Sequence, residues 1–193
     1  MNNNYLKAMI FALAAAVTAQ AGSIAGKVGG GKGATVVYIE AIAGKTFPAP
    51  AKQVVMDQHS LLFQPHAIVI PVGTTVEFLN SDSVQHNIFW PAISGNKKLS
   101  HNMGTWPKGE KRPFKFDTPG VAPLLCNVHP EMSGFIVVSP TPYYAEADAS
   151  GAYKIDNVPD GAYSVTAWRE GMKPQTKPTT VASTTTLDFT LTK

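Results

Sequence analysis

Two β-sandwiches, one large and one small, are the architecture this 193-residue sequence leads us to expect. Fifteen prolines and sixteen glycines punctuate a chain rich in Val, Ile, Thr and Tyr, a composition of short strands joined by tight turns. Where the pattern is clearest, Thr74, Val76 and Phe78 alternate with Thr75, Glu77 and Leu79, as a strand with one buried face requires. After the N-terminal segment, no stretch sustains a helical period.

The N-terminal segment has its own pattern. One positive charge, Lys7, precedes the ten-residue apolar run Ala8–Val17 and the small-x-small sequence Ala19-Gln20-Ala21. A bilayer core needs about 20 apolar residues, so the run is too short to span one. Residues 1–21 are therefore expected to be a secretory signal peptide cut near Ala21, with periplasmic or other extracytoplasmic delivery. An uncleaved N-terminal anchor is the alternative, opposed by the shortness of the run. The mature chain would hold about 172 residues, room for one large or two small domains. Its formal charge falls from +3 to +2 with the loss of Lys7. That is too mild for nucleic acid, and no basic cluster with interleaved aromatics appears. No later run is long and apolar enough to span a membrane.

Three regions follow. Residues 22–45 give two strand patterns, "SIAGKV" and "ATVVYIEA", split by the flexible "GGGKG". "TFPAPA" reads as a linker. Residues 52–140 carry "QVVMD", "AIVIPVGTTVEFLN", "RPFKFD", "GVAPLLC" and "GFIVVS", with turns at Val72-Gly73, Asn80-Ser81-Asp82, Pro107-Lys108-Gly109 and Pro119-Gly120. Residues 141–193 place Tyr153 and Ile155 on one face, turn at Pro159-Asp160-Gly161, and continue through Tyr163, Val165 and Ala167. Leu187, Phe189 and Leu191 alternate at the end. These read as hairpins of a small antiparallel sandwich.

The chemistry concentrates in "CNVHPEM", residues 126–132. Cys126 is the only cysteine, so no intramolecular disulfide is available to it. His129 and Met132 follow at +3 and +6. Thiolate is a soft, strong ligand, imidazole suits copper, and a thioether adds a weak axial bond, so a His₂Cys set with an axial Met is a blue-copper arrangement. "NSDSVQHNIFW" supplies the fourth donor, His86, at a strand entry. The thioether and the softness of the set favour copper over zinc.

These residues resemble the cupredoxins, the amicyanins and plastocyanins among them. The likeness rests on the Cys-x-x-His-Pro-x-Met spacing, the upstream His-Asn, and the preceding "V-G-x-x-V-x-F-x-N" run, and it covers about residues 52–140. It implies a Greek-key β-sandwich and one type 1 copper ion. His86, Cys126 and His129 would be its equatorial ligands and Met132 its axial one. The segment between His86 and Cys126, with Trp90, His101 and Trp106, is this chain's own. Asn87 is expected to bond across to the cysteine loop and orient the ligands, and Glu131 to be a solvated charge. His66 is read as a structural or surface residue at a strand start, and His59 and His101 as exposed loop residues. Trp90, Trp106 and Trp168 are read as packing residues. No enzyme motif is present, and five histidines, two of them already used, cannot build a second, catalytic copper centre.

The C-terminal "D-x-S-G-x-Y-x-I-x-N-V-P-D-G-x-Y-x-V-x-A-W" resembles the carboxypeptidase-regulatory or Cna-B type of β-sandwich, whose modules are stalks or accessory domains. Residues 141–193 are short for that fold. Residues 22–45 can complete it, which would make the copper domain an insertion, or they can add edge strands to the copper domain. The expected function is one-electron transfer between redox partner proteins by a monomeric, non-enzymatic carrier. An extracytoplasmic copper carrier or sensor and a metal-free envelope module are the alternatives.

Overall fold

Seventeen strands and one 3₁₀ turn, Lys97–Leu99, make up the regular structure of the computed structural model, which describes residues 21–193. The expected signal peptide, all but Ala21, lies outside the described residues. In chain order the strands are β1 (Ala21–Gly29), β2 (Thr35–Ile39), β3 (Val54–His59), β4 (Leu62–Gln64), β5 (Ala67–Pro71), β6 (Thr74–Asn80), β7 (His86–Trp90), β8 (His101–Trp106) and β9 (Lys111–Phe116). They continue as β10 (Gly120–Leu125), β11 (Ser133–Ser139), β12 (Tyr144–Glu146), β13 (Ala152–Pro159), β14 (Gly161–Arg169), β15 (Gln175–Val181), β16 (Thr184–Thr186) and β17 (Phe189–Thr190).

β3 to β11 form two sheets, in the orders β4-β3-β6-β9 and β5-β11-β10-β7-β8. Both are mixed: β3 and β6 run parallel, as do β5 and β11. Their facing sides bury Met56, Phe78, Ile88, Trp90, Trp106 and Leu124 in one core. The alternation expected in β6 is present, with Thr74, Val76, Phe78 and Asn80 buried and Thr75, Glu77 and Leu79 half-buried. Gly73, at φ +85°, breaks the long apolar run into β5 and β6, which lie in different sheets. A side chain there would meet the Ala49 Cβ at 2.9 Å.

The remaining strands make the smaller sandwich. Its sheets are β12-β2-β14-β15 and β13-β1-β16, with β17 also pairing with β1. Ile24, Val37, Ile39, Ile155, Val165 and Phe189 share its core. The two N-terminal strands thus hydrogen-bond with C-terminal ones: β1 with β13, β16 and β17, and β2 with β12 and β14. One expectation needs correction. The Pro159-Asp160-Gly161 turn does not close a hairpin, because β13 and β14 lie in opposite sheets. β1 and β2 are the partners those strands take instead, and the Tyr163 hydroxyl, donating to Pro159 O at 2.7 Å, fixes the corner between them.

The two sandwiches meet through the outer faces of β5 and β11. Ile68, Ile70, Ile136 and Val138 point into the larger core. Val69 and Val137, one residue out of phase, pack against Val36 and Trp168 of the smaller sandwich. A sheet covered on both faces explains why "AIVI" and "FIVV" are continuously apolar instead of alternating.

Candidate metal centre

β7 and β10 are neighbours in one sheet, with Leu125 paired to Phe89. That register sets His86, the first residue of β7, close to Cys126, which directly follows β10. The loop from Cys126 to β11 then folds back on itself. Pro130 supplies the fixed φ of a turn's second position, and the Met132 N–H donates to His129 O at 3.0 Å to close it. The ligating atoms of His86, Cys126 and His129 all lie within 4.8 Å of one another, and the two Nδ1 atoms are 3.0 Å apart. His86, Cys126 and Met132 are 0%, 3% and 0% exposed, and Met132 lies in the same core cluster as Cys126. His129 is half-buried. The only donor of the three-residue cluster with an accessible ring edge is therefore His129.

The surroundings orient these side chains. The Asn87 N–H points at Cys126 Sγ, 3.4 Å away. Asn87 Nδ2 donates to Asn102 Oδ1 and Gly104 O, both at 2.9 Å, while its Oδ1 accepts from the Asn127 N–H at 3.3 Å. Asn87 therefore ties β8 to the cysteine loop through the amide, the contact the sequence suggested.

Asp82, which in the sequence marks only a turn, holds the other side. Its Oδ2 accepts from His86 Nε2 at 2.8 Å and from the Leu61 N–H at 2.9 Å, and its Oδ1 accepts from the Ser60 N–H at 2.7 Å. Ser60 and Leu61 form the two-residue turn between β3 and β4 with φ of +56° and +58°, a conformation that non-glycine residues enter only at a cost. The Asp82 carboxylate stabilises that turn and His86 together. Burial alone would raise its pKa, but the Leu61 N–H, the His86 ring and the Ser60 N–H outweigh burial and hold it at about 2. An ionised acceptor on Nε2 keeps the proton there and leaves the Nδ1 lone pair bare.

This donor set fits copper. His86 and His129 would offer their ring nitrogens to the ion and Cys126 its thiolate, from atoms that already lie within 4.8 Å of one another. The nearby thiol supplies the soft donor that copper takes alongside imidazole.

The other sequence-flagged residues lie apart from this cluster. His101 opens β8, where a loop was expected, because its strand pairs with β7 at Trp90. It is exposed and stacks on Trp90 and Phe114 at 5.1 and 4.7 Å between ring centroids. His59 is also a strand residue, the last of β3, 3.9 Å from Asp82. His66 precedes β5 and pairs with Glu170 of the smaller sandwich at 2.8 Å. Trp90, Trp106 and Trp168 are buried. Glu131 is exposed.

A two-sheet sandwich with a histidine–cysteine–histidine cluster at one end is the arrangement of a copper-binding class of protein. The chain belongs to the family described as copper binding proteins, plastocyanin/azurin family, whose model matches residues 50–139. Residues 135–192 match the carboxypeptidase regulatory-like domain. Among its relatives, plastocyanin from Scenedesmus fuscus is 33% identical over 78 residues, 38% of this chain and 80% of that protein. Amicyanin-alpha from Methylorubrum extorquens is 27% identical over 133 residues, covering 69% of this chain and 99% of the relative. Among solved structures, a purple cupredoxin from Nitrosopumilus maritimus matches 45% of this chain and 98% of its own, at 30% identity and a TM-score of 0.39. A copper-containing nitrite reductase from Thermus scotoductus matches 52% of this chain at 28% identity and a TM-score of 0.42, and the match spans 25% of that reductase.

Proposed function

We propose that this protein is an exported, non-enzymatic one-electron carrier whose copper is held by His86, Cys126, His129 and Met132. The observation that carries the reading is the approach of the two Nδ1 atoms to 3.0 Å beside Cys126, with Nε2 of His86 committed to Asp82. Bound copper supplies the one-electron couple. The residues supply the rest. Asp82 and Asn87 lock His86 and the cysteine loop, so the ligands keep their places in both oxidation states. Met132, fully buried, shields the site from water.

Electrons pass through the half-exposed edge of His129, toward a redox partner protein seated on the surface around it. Val128, the residue before it in the chain, is 48% exposed and gives that surface an apolar character. Export rests on the N-terminal charge, apolar run and cleavage pattern. The sheet pairings support a domain division in which residues 52–140 are the copper domain, inserted into a sandwich built from 22–45 and 141–193.

Adding Cu(II) to the purified mature protein and recording its visible spectrum tests the centre. An intense blue or purple thiolate-to-copper band, lost in Cys126→Ser, is the expected result. A colourless Cu(II) complex of the unaltered protein overturns the reading.

A further inference from the structure

Arg169 is the one permanently charged side chain that is buried among the described residues, at 3% exposure. It ends β14 in the smaller sandwich and involves no residue of the copper centre. Its Nε donates to Thr35 Oγ1 at 2.6 Å, one terminal nitrogen to Gly29 O at 3.1 Å, and the other to Val28 O at 2.9 Å. These three acceptors are all neutral. Among the described residues no carboxylate forms an ion pair with the guanidinium. A buried charge is costly unless a counter-charge meets it. Two of the five guanidinium N–H groups are also left over.

Arg169 also lines a cleft of about 420 Å³, walled besides by Gly31, Lys32, Gly33, Asp148 and Ser150. The glycine loop lies beside the guanidinium. Gly31 and Gly33 have φ of +155° and +121°, and a Cβ on Gly31 would sit 3.8 Å from an Arg169 terminal nitrogen and 2.6 Å from Met172 Cε. Asp148 sets the charge balance. Its Oδ1 accepts from the Ser150 hydroxyl and from the N–H groups of Ser150 and Ala152, contacts that lower its pKa and keep it ionised. Arg169 and Lys32 thus bring positive charge to the cleft wall, and Lys27 acts on Asp148 from beside it.

We infer that this cleft is a binding site for a small carboxylate monoanion, received by the Arg169 guanidinium with Lys32 at the rim. Planar bidentate recognition is what a guanidinium offers a carboxylate. Asp148, in the same cleft wall, repels a second negative charge and so favours a monoanion. The smaller sandwich then carries a ligand site of its own, built without any residue of the copper centre.

The test is NMR of the full mature chain loaded with Cu(I), following the Arg169 Nε–H and the amides of Gly31, Lys32 and Gly33. Sodium acetate, inorganic phosphate and sodium chloride are titrated separately at constant ionic strength. Saturable shifts of these signals with acetate are expected, with chloride producing none. Lys32→Gln, an exposed change that leaves the fold intact, should weaken acetate binding roughly two- to fivefold, the size of an exposed charge's contribution. Arg169→Lys, checked for folding by its amide spectrum, should abolish saturation. Acetate shifts no larger than those of chloride overturn the site. Saturation by phosphate in preference to acetate overturns the monoanion assignment, as does unchanged affinity in Lys32→Gln.

Discussion

The two sandwiches divide the titratable aromatic chemistry of the chain between them. All five histidines lie in the larger one, and every tyrosine among the described residues lies in the smaller. The larger core is filled with Phe and Trp around a cluster of metal donors. The smaller one closes its corners and edges with phenols: Tyr163 donates to Pro159 O at 2.7 Å, and Tyr153 to Leu187 O. A buried phenol must find an acceptor, so it pins a strand end at a fixed place. Near a copper centre such a polar handle is unnecessary, because Asn87 and Asp82 already fix the loops. One region is built to hold an ion, and the other to hold itself together.

That division can be broken from either side. The largest effect is expected from Asp82→Ala, which leaves His86 Nε2 and the N–H groups of Ser60 and Leu61 without their acceptor. Loss of a partner to a metal-ligating histidine weakens metal binding about 10- to 100-fold. The orphaned donor on buried His86 should also cost the larger sandwich about 1–3 kcal/mol, while the exposed Ser60 and Leu61 N–H groups turn to water. Competition with a copper chelator and thermal unfolding measure the two effects, while amide exchange at Val165 and Ala167 in the smaller sandwich should stay as it was.

Alkali should attack the other side. Burial first, then Glu40, raises the Tyr38 hydroxyl to about 12, and burial likewise raises those of Tyr144, Tyr153 and Tyr163. A raised folded pKa gives stability that is whole below the unfolded value near 10 and lost as pH climbs toward the folded one. Between pH 10 and about 12, exchange should therefore accelerate at Val165 before it does at Ile88. Simultaneous acceleration would show that the two sandwiches open as one. In acid the order reverses at Asp82, whose contribution is present above about pH 4 and disappears as pH falls toward about 2.

Smaller effects sharpen the picture. Met132→Leu should retain copper and raise the reduction potential, because losing a weak donor destabilises Cu(II) more than Cu(I). Met132→Gln should lower it. Voltammetry giving both shifts in the same direction would remove Met132 from the ligand set. Smallest of all is Glu170→Gln, which breaks the His66 pair between the sandwiches. Both partners are well exposed, so unfolding should shift by less than about 1 kcal/mol, leaving the Val69–Val137–Trp168 contact to hold the units together.

Much of this was legible in the sequence because the signal was local. Cys126, His129 and Met132 fall within seven residues, and the turn that gathers them is written in Pro130. The alternation of β6 followed directly from its one buried face. His86 was found through the strand entry and its Asn87 neighbour. Asp82 was not, since its role depends on the Ser60-Leu61 turn arriving from some twenty residues upstream. Nothing local marks a carboxylate for that meeting. The β13–β14 corner departs from its local signal for a similar reason. A Pro-Asp-Gly turn between alternating runs suits a hairpin, and only the competing claims of β1 and β2 carry the two strands into different sheets.

The pairing of β1 and β2 with strands far down the chain bears on the order in which the protein takes shape. During synthesis these two strands emerge first, yet β1 waits for residues beyond 150 before it can pair. An unstructured intervening chain of that length would make closure slow and entropically costly. Once β3 to β11 have collapsed into a sandwich, their entry at Val54 and exit at Ser139 are fixed in space, and the long gap becomes a short one. The larger sandwich then works as a clasp, bringing the strands on either side of it together. A lesion that delays its folding should leave the strand edges of β1 and β2 bare, the kind of surface on which newly made chains stick to one another.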